Sequence, residues 1–396
     1  MSEANTILSN FFVLKELKLL KTNLSTGELE LESISEANQC PHCQNFTNIK
    51  YDKRIVIIRD CPLRHGQHPI YLKIHKKRFR CSSCKKVFTE KLPGIIPRRR
   101  TTERFQRQIM FACDRYAHLN QVRKDFFVSS DFVYRAFYEK LELKRRKDNQ
   151  YAWPKCIGID EHGFGRDKVL RKKVFVTMVV NHNRKKLMEV VFGKSSQNLK
   201  DRLSHIPGRE NVRFATIDMC DPYRNFILNH FPYAEIVADK FHVLRLLSPS
   251  IMKERKLITG KNADRKARGL LLCNSKNLDY FDRRAILDYL PRHPKLNALY
   301  HAKEALHNFY RIKGYTRAVV ALGHMITRFK SSHYEEISRL GRTLENWKSE
   351  IQNYFKTRLT NARLEGFNNK ASLVRRRAFG YKNPNNYRLR LLSVCS

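Results

Sequence analysis

Acids are scarce in this sequence. Its 396 residues hold 37 Asp and Glu against 78 Lys and Arg, a formal net charge of +41 at pH 7. That deficit excludes a protein indifferent to polyanions and calls for such a partner, nucleic acid first and an anionic membrane surface second. Long apolar runs are missing too: stretches such as residues 174–180 are too short to cross a bilayer, so the membrane loses its support. The first twenty residues carry Glu3 ahead of their apolar patch and Lys15 and Lys18 inside it, which is not a secretory-signal pattern. A cytoplasmic chain with no membrane partner is expected. Tryptophan is nearly absent, and Trp153 and Trp347 read as packing residues. Core-forming residues are not scarce: 42% of the chain is hydrophobic, enough for a sizeable core, and the length suggests roughly two to three domains.

In a reducing compartment the ten cysteines read as metal ligands or buried thiols rather than disulfides. Four form two knuckles, Cys40-Pro-His-Cys43 and Cys81-Ser-Ser-Cys84. Each knuckle brings two thiolates to one ion from a tight turn, and two knuckles close a tetrahedral Zn²⁺ site with no open position for catalysis. With β-like runs at 54–58 and 70–74, and Arg78-Phe79-Arg80 leading into the second knuckle, residues 36–97 read as a zinc ribbon after an N-terminal segment, 1–35. Cys61, His65 and His68 lie between the knuckles as competing ligands. The remaining cysteines stand singly and read as structural thiols.

Eleven Lys and Arg against the single acid Glu90 lie between Lys73 and Arg100. Phosphate contact is the economical explanation, with Arg98, Arg99 and Arg100 closing the run. Helical periodicity follows. Phe105, Ile109, Ala112 and Tyr116 predict a helix capped by Thr101 or Thr102; residues 119–127 form a second; Ser129-Ser130 cap a third through Val133, Phe137 and Leu141. This is a helix-turn-helix pattern over 101–147, whose third helix presents Arg135 and Tyr138 to a major groove. Residues 144–153 read as a linker.

From residue 153 to 396 the pattern is mixed α/β. Three β-rich runs come first, then helix and strand alternate, an order similar to the ribonuclease H-like fold. A helical insertion is expected at about 250–355. Asp160 follows Ile157-Gly-Ile and Asp218 follows Phe214-Ala-Thr-Ile, so each carboxylate is expected where a buried strand leaves the sheet. Converging carboxylates repel unless a divalent cation lies between them. In so cationic a chain, this is an arrangement for two-metal phosphodiester chemistry. Glu365 supplies a third acid, and Asn361, Glu365 and Asn368 share one helix face at i, i+4, i+7, suited to completing and steadying a metal shell. Glu161 is expected on the opposite side of the strand from Asp160, and Asp221 as the N-cap of a helix beginning with Pro222. After Glu365 come seven basic residues and no acid, and Arg375, Arg376 and Arg377 are candidates to hold DNA near the metals.

These motifs together resemble the DDE transposases of the ISL3 insertion-sequence family. The resemblance rests on the ribbon, the helix-turn-helix, Gly158-Ile-Asp160-Glu161-His162, Asp218-Met-Cys-Asp221-Pro-Tyr223-Arg224, Ala238-Asp239-Lys-Phe-His242 and Asn361-x-x-x-Glu365-Gly-x-Asn368. It implies that Asp160, Asp218 and Glu365 form the catalytic triad and hold two Mg²⁺ ions, with Mn²⁺ an alternative. Asp239 and His242 then have a supporting, structural or DNA-positioning role. It also implies binding of terminal inverted repeats and target DNA by a homo-oligomer associated with the bacterial nucleoid. One departure is Cys61, where the family usually shows an acid. A zinc-ribbon regulator or a domesticated nuclease-like protein is the rival reading.

Overall fold

The computed structural model describes residues 16–23, 25–62, 68–96, 99–116, 118–148, 152–166, 172–260 and 265–395. The chain divides into two compact units, Met1–Arg146 with Arg377–Gly380, and Lys147–Arg376 with Tyr381–Ser396. No helix among the described residues is long and apolar enough to cross a membrane.

In the first unit β1 (Leu17–Asn23), β2 (Glu28–Ser33), β5 (Lys50–Asp60), β6 (Ile70–Arg80) and β7 (Val87–Thr89) share one sheet, while β3 (Asn38–Gln39) and β4 (Phe46–Thr47) form a small hairpin. The N-terminal segment is therefore not separate from the ribbon: β2 pairs in parallel with β6, from Glu28 opposite Tyr71 to Glu32 opposite His75. Leu31, Leu72 and Ile74 are fully buried between these strands and Leu92 and Ile95. Three helices follow, α1 (Glu103–Arg115), α2 (Leu119–Asp125) and α3 (Ser130–Asp148). Thr102 caps α1 by accepting from the Phe105 amide at 3.2 Å, and the Ser129 hydroxyl accepts from the Phe132 amide at 3.2 Å. The expected linker is shorter than its charge suggested, because α3 continues through Asp148; Lys and Arg are good helix formers that need no apolar support. Asp60, fully buried at the end of β5, ties sheet to helices by accepting from the Thr102 hydroxyl at 2.6 Å and from Arg104 Nε at 2.7 Å.

The second unit opens with β8 (Cys156–Arg166), β9 (Lys173–Asn181) and β10 (Lys186–Phe192). Then come α4 (Ser196–Leu203), β11 (Phe214–Ile217), α5 (Asp221–His230), β12 (Glu235–Ala238) and α6 (Lys240–Leu244). The sheet order is β10-β9-β8-β11-β12; the first three strands are antiparallel, and β11 lies parallel to both β8 and β12. From α7 (Ser248–Thr259) through α8 (Arg265–Leu272), α9 (Tyr280–Tyr289), α10 (Pro294–Phe309), α11 (Tyr315–Lys330), α12 (Glu335–Asn346) and α13 (Lys348–Thr357), the described residues hold helices and no strand. The chain then returns to the sheet with α14 (Ala362–Arg377) and α15 (Pro384–Val394).

Strand alternation divides the core into two layers. Ile157, Ile159 and Val179 point to the α4, α5 and insertion side, whereas Val176, Met178 and Val180 meet Leu364, Phe367, Ala371 and Val374 of α14 and Tyr387 and Leu391 of α15. One buried ion pair also holds α15: Arg388 donates from Nε and Nη2 to the two Glu189 oxygens on β10, each at 2.6 Å. Arg388→Met leaves that carboxylate buried, with Arg202 3.9 Å away. It should cost about 3–5 kcal/mol in denaturant unfolding, while the double change Glu189→Leu, Arg388→Met should recover most of the loss.

Candidate active site and zinc centre

The two knuckles meet. Cys40 and Cys84 sulfurs lie 3.6 Å apart, Cys43 and Cys81 sulfurs 3.4 Å apart, and all four within 4.8 Å of one another. The Cys84 amide donates to Cys81 Sγ at 3.5 Å and helps bring the Cys81 thiol down to about 6. One thiolate is thus available before any ion arrives. Cys61 takes no part in the cluster: its amide donates to Asp60 Oδ1 at 2.8 Å, and burial pushes its thiol up to about 12. His68 is stacked on Phe127 at 4.2 Å, and His65 lies outside the described residues.

The acids are aligned by sheet register. Ile159 of β8 stands opposite Ile217 of β11, and Ile217 opposite Ala238 of β12, so the next residue on each strand, Asp160, Asp218 and Asp239, emerges at one level. β8 itself does not end at Asp160, because β9 continues to pair with it through Arg166. Asp160 instead marks where β8 loses its β11 neighbour, and that half-released edge presents its carboxylate. All three aspartates are buried. Burial, then the Asp160 charge, raises Asp218 to about 9; burial likewise raises Asp239. His242, one turn past Asp239, brings Nε2 to 3.0 Å from Asp218 Oδ1 without completing a hydrogen bond, so that buried oxygen has no donor among the described residues. Asp160, Asp218 and His242 offer ligand atoms all within 4.8 Å.

Asn368 on α14 and Asn361 just before it both reach the aspartates. Asn368 Nδ2 donates to Asp160 Oδ2 at 2.9 Å, and the Asn361 amide N–H donates to Asp239 Oδ1 at 2.8 Å. Glu365 lies on the same helix between them, but its carboxylate is exposed and 3.6 Å from Arg245 Nη2, outside the aspartate cluster. A cationic neighbour on the turn after α6 draws it outward.

Residues 157–391 match the ISL3 DDE transposase model, described as a transposase. The chain belongs to the ISL3 transposase family. Residues 36–84 match the zinc-finger of the IS204/IS1001/IS1096/IS1165 transposases, which together with the four-cysteine cluster supports a structural zinc ion. The transposase for insertion sequence element IS1001 of Bordetella parapertussis is 21% identical over 382 residues, 92% of this chain and 91% of that protein. The protein is thus an insertion-sequence transposase, a class of enzyme that binds, cuts and joins DNA.

Several residues of this transposase stand apart from their expected places. Tyr138 is buried beside the Val133, Phe137 and Leu141 stripe, so it is not a groove-reading residue; Tyr134, stacked on it at 6.0 Å, is the exposed ring of α3. Arg135 is exposed and paired with Asp131 one turn earlier. Arg99 pairs with Glu139 at 2.6 Å, Arg100 is exposed, and Arg98 lies outside the described residues. Arg375 donates to the Gly163 and Phe164 carbonyls at 2.7 and 2.9 Å, fastening α14 to β8, whereas Arg376 and Arg377 are exposed. Glu161 pairs with Lys194 at 3.4 Å on the far side of the strand from Asp160, as alternation requires. Asp221 is the first residue of α5 rather than its cap, which is Cys220; Pro222 still falls in the first turn. For Asp239 the resemblance implies a supporting role, and the sheet adds that it stands level with Asp160 and Asp218. Only the register with Asp160 and Asp218 reveals its place.

Proposed function

We propose that this transposase binds the terminal inverted repeats of its element, cuts DNA strands there and joins the freed 3′-hydroxyls to target DNA, in a ribonuclease H-like active site of Asp160, Asp218 and Glu365. The observation that carries the reading is the in-register emergence of Asp160 and Asp218 from neighbouring strands, with a buried donorless oxygen on Asp218, in a chain of charge +41. The strand order, three antiparallel strands followed by two parallel ones, supports the ribonuclease H-like assignment.

These residues fit a hard divalent cation: the donors are carboxylate oxygens, and their repulsion and burial hold Asp218 protonated until a counter-charge arrives. A pair of Mg²⁺ ions, or Mn²⁺, held by Asp160, Asp218 and Glu365 would supply polarisation of the attacking and leaving oxygens in an in-line displacement. The chain's own part is to fix Asp160 through Asn368 and to hold His242 Nε2 3.0 Å from Asp218 Oδ1. Exposed Arg100, Arg135, Arg376 and Arg377 hold phosphates. Glu365 joins the aspartates when DNA phosphate competes for Arg245. Two ends must be paired for joining, so a homo-oligomer forms on DNA, and its substrate keeps it on the bacterial nucleoid.

The test is 3′-end joining of labelled terminal-repeat DNA with Mg²⁺. Joined products are expected; tight binding to the repeats without cleavage in either Mg²⁺ or Mn²⁺ would sink the reading. A second measurement follows the proton. Because Asp218 binds it up to about 9, cation binding must release it, and thermal stabilisation by Mg²⁺ should be larger at pH 8 than at pH 6.

A further inference from the structure

Beneath the aspartates lies a buried polar chain that joins three elements. His182, the first residue after β9, has Nε2 2.7 Å from Thr216 Oγ1 on β11. Thr216 donates its hydroxyl to Asn361 Oδ1, and Asn361 Nδ2 donates to the Ile159 carbonyl at 3.1 Å. The direction of every proton follows. The Asn361 amide nitrogen is committed to Ile159, so two carbonyl oxygens face the Thr216 hydroxyl, Asn361 Oδ1 and, at 3.3 Å, that of Ile157; with its proton given to either, Thr216 has a lone pair only for an N–H, and His182 carries its proton on Nε2. Burial, helped by the Arg363 charge, lowers His182 to about 4, so the imidazole is neutral at working pH. Gly158 of β8 completes the fit: a Cβ there would stand 2.6 Å from His182 Nε2 and 2.9 Å from Asn361 Oδ1.

The chain touches the active site at both ends of its last member. Asn361 grips Ile159, the residue before Asp160, and through its backbone N–H holds Asp239 Oδ1 at 2.8 Å. It is also the residue from which α14 starts, the helix bearing Glu365 and Asn368. We propose that His182, acting through Thr216 and Asn361, is a positioning residue that sets the register of α14 against β8 and β11, and so the placing of Asn368 on Asp160 and of the Asn361 backbone N–H on Asp239. A misplacement of about 1 Å can cost about 10²-fold in rate, whereas DNA binding by residues elsewhere is untouched.

The experiment uses the full chain and labelled terminal-repeat DNA. Thr216→Val keeps shape and removes the donor; Thr216→Ser keeps the donor. Under saturating DNA, Thr216→Val and His182→Ala should lower the single-turnover cleavage rate by about 10²-fold with the dissociation constant within about twofold, and Thr216→Ser should return to within about threefold of the parent. Wild-type cleavage by Thr216→Val overturns the proposal. So does Thr216→Ser failing as badly as Thr216→Val, or a rate loss that only tracks the folded fraction. The inference rests on Asp160 and Asp218 being the reacting centre. Failure of that premise shows separately, as cleavage by Asp218→Asn.

Discussion

Asp218→Asn should reduce strand cleavage by at least about 10³-fold while leaving repeat binding within about twofold. A lost cation-holding carboxylate forfeits several kcal/mol of transition-state stabilisation, and 4 kcal/mol is about three decades in rate. The same change should not weaken the fold. Asp218 has its proton affinity raised from 3.8 to about 9 by burial and by Asp160. A carboxyl with a raised folded pKa contributes stability that is complete below about pH 4 and is lost as pH rises towards about 9. At pH 8 without cation, Asp218→Asn therefore melts at or above the parent temperature, and the difference narrows as pH falls towards about 4. Loss of activity with unchanged or raised stability separates chemistry from folding. Asp160→Asn is expected to behave likewise in cleavage. Glu365→Gln is the sharper comparison, because its carboxylate sits on Arg245 rather than with the aspartates. Normal cleavage by Glu365→Gln, with none by Asp239→Asn, would transfer the third carboxylate to Asp239.

Much of this site was legible because it is written in local patterns. An apolar run ending on an acid singled out Asp160 and Asp218, and i, i+4, i+7 spacing put Asn361, Glu365 and Asn368 on one face, of which Glu365 turns to Arg245 instead. Both amides now contact the aspartate-bearing strands. What was illegible depends on pairing between distant strands. Nothing in Ala238-Asp239 announces that Ala238 stands opposite Ile217. Nor does Thr216, in a run of apolar neighbours, announce that its hydroxyl will meet His182 and Asn361.

The same reasoning explains two errors of placement. Tyr138 looked like a polar handle on a recognition helix, yet one residue past Phe137 it lies beside the core stripe and is covered. A tyrosine is amphipathic, and its ring is large enough for burial to win. No strand is read from sequence in the N-terminal segment, 1–35, which holds Glu28, Glu30 and Glu32. In the sheet they alternate with Leu29 and Leu31 and face basic β6; Glu30 pairs with His75 at 2.8 Å and with Lys73 at 3.1 Å. The opposite, apolar face of the same strand, Leu29 and Leu31, joins the core with Leu72 and Ile74 of β6.

Removing zinc should have the second large effect, and it should be confined to one unit. Among the described residues the buried core around the knuckles is Cys40, Cys81, Phe79 and Phe88, the two rings 6.1 Å apart, with Cys43 and Cys84 packed against it. So small a cluster cannot hold the β3–β4 hairpin and β7 unaided, and structural zinc contributes about 10–16 kcal/mol in small zinc-finger peptides. Chelation, or Cys81→Ser, should expose the amides around Cys40, Phe46 and Phe88 to fast hydrogen exchange. It should also weaken repeat binding by at least about tenfold, while the amides of β8 and β11 stay protected. β5 and β6 should exchange more slowly than the knuckles, since Leu31, Leu72 and Ile74 pack away from the thiols. The pH dependence has a definite sign. Cys81 is depressed from 9.0 to about 6, so its thiolate contributes fully above about pH 9 and is lost as pH falls through about 6. Zinc release should therefore steepen on acidification below about pH 6, with one zinc per chain bound at neutral pH. Full retention of hydrogen-exchange protection at Cys40 and Phe46 after complete metal removal would show that the thiols hold the ribbon without an ion.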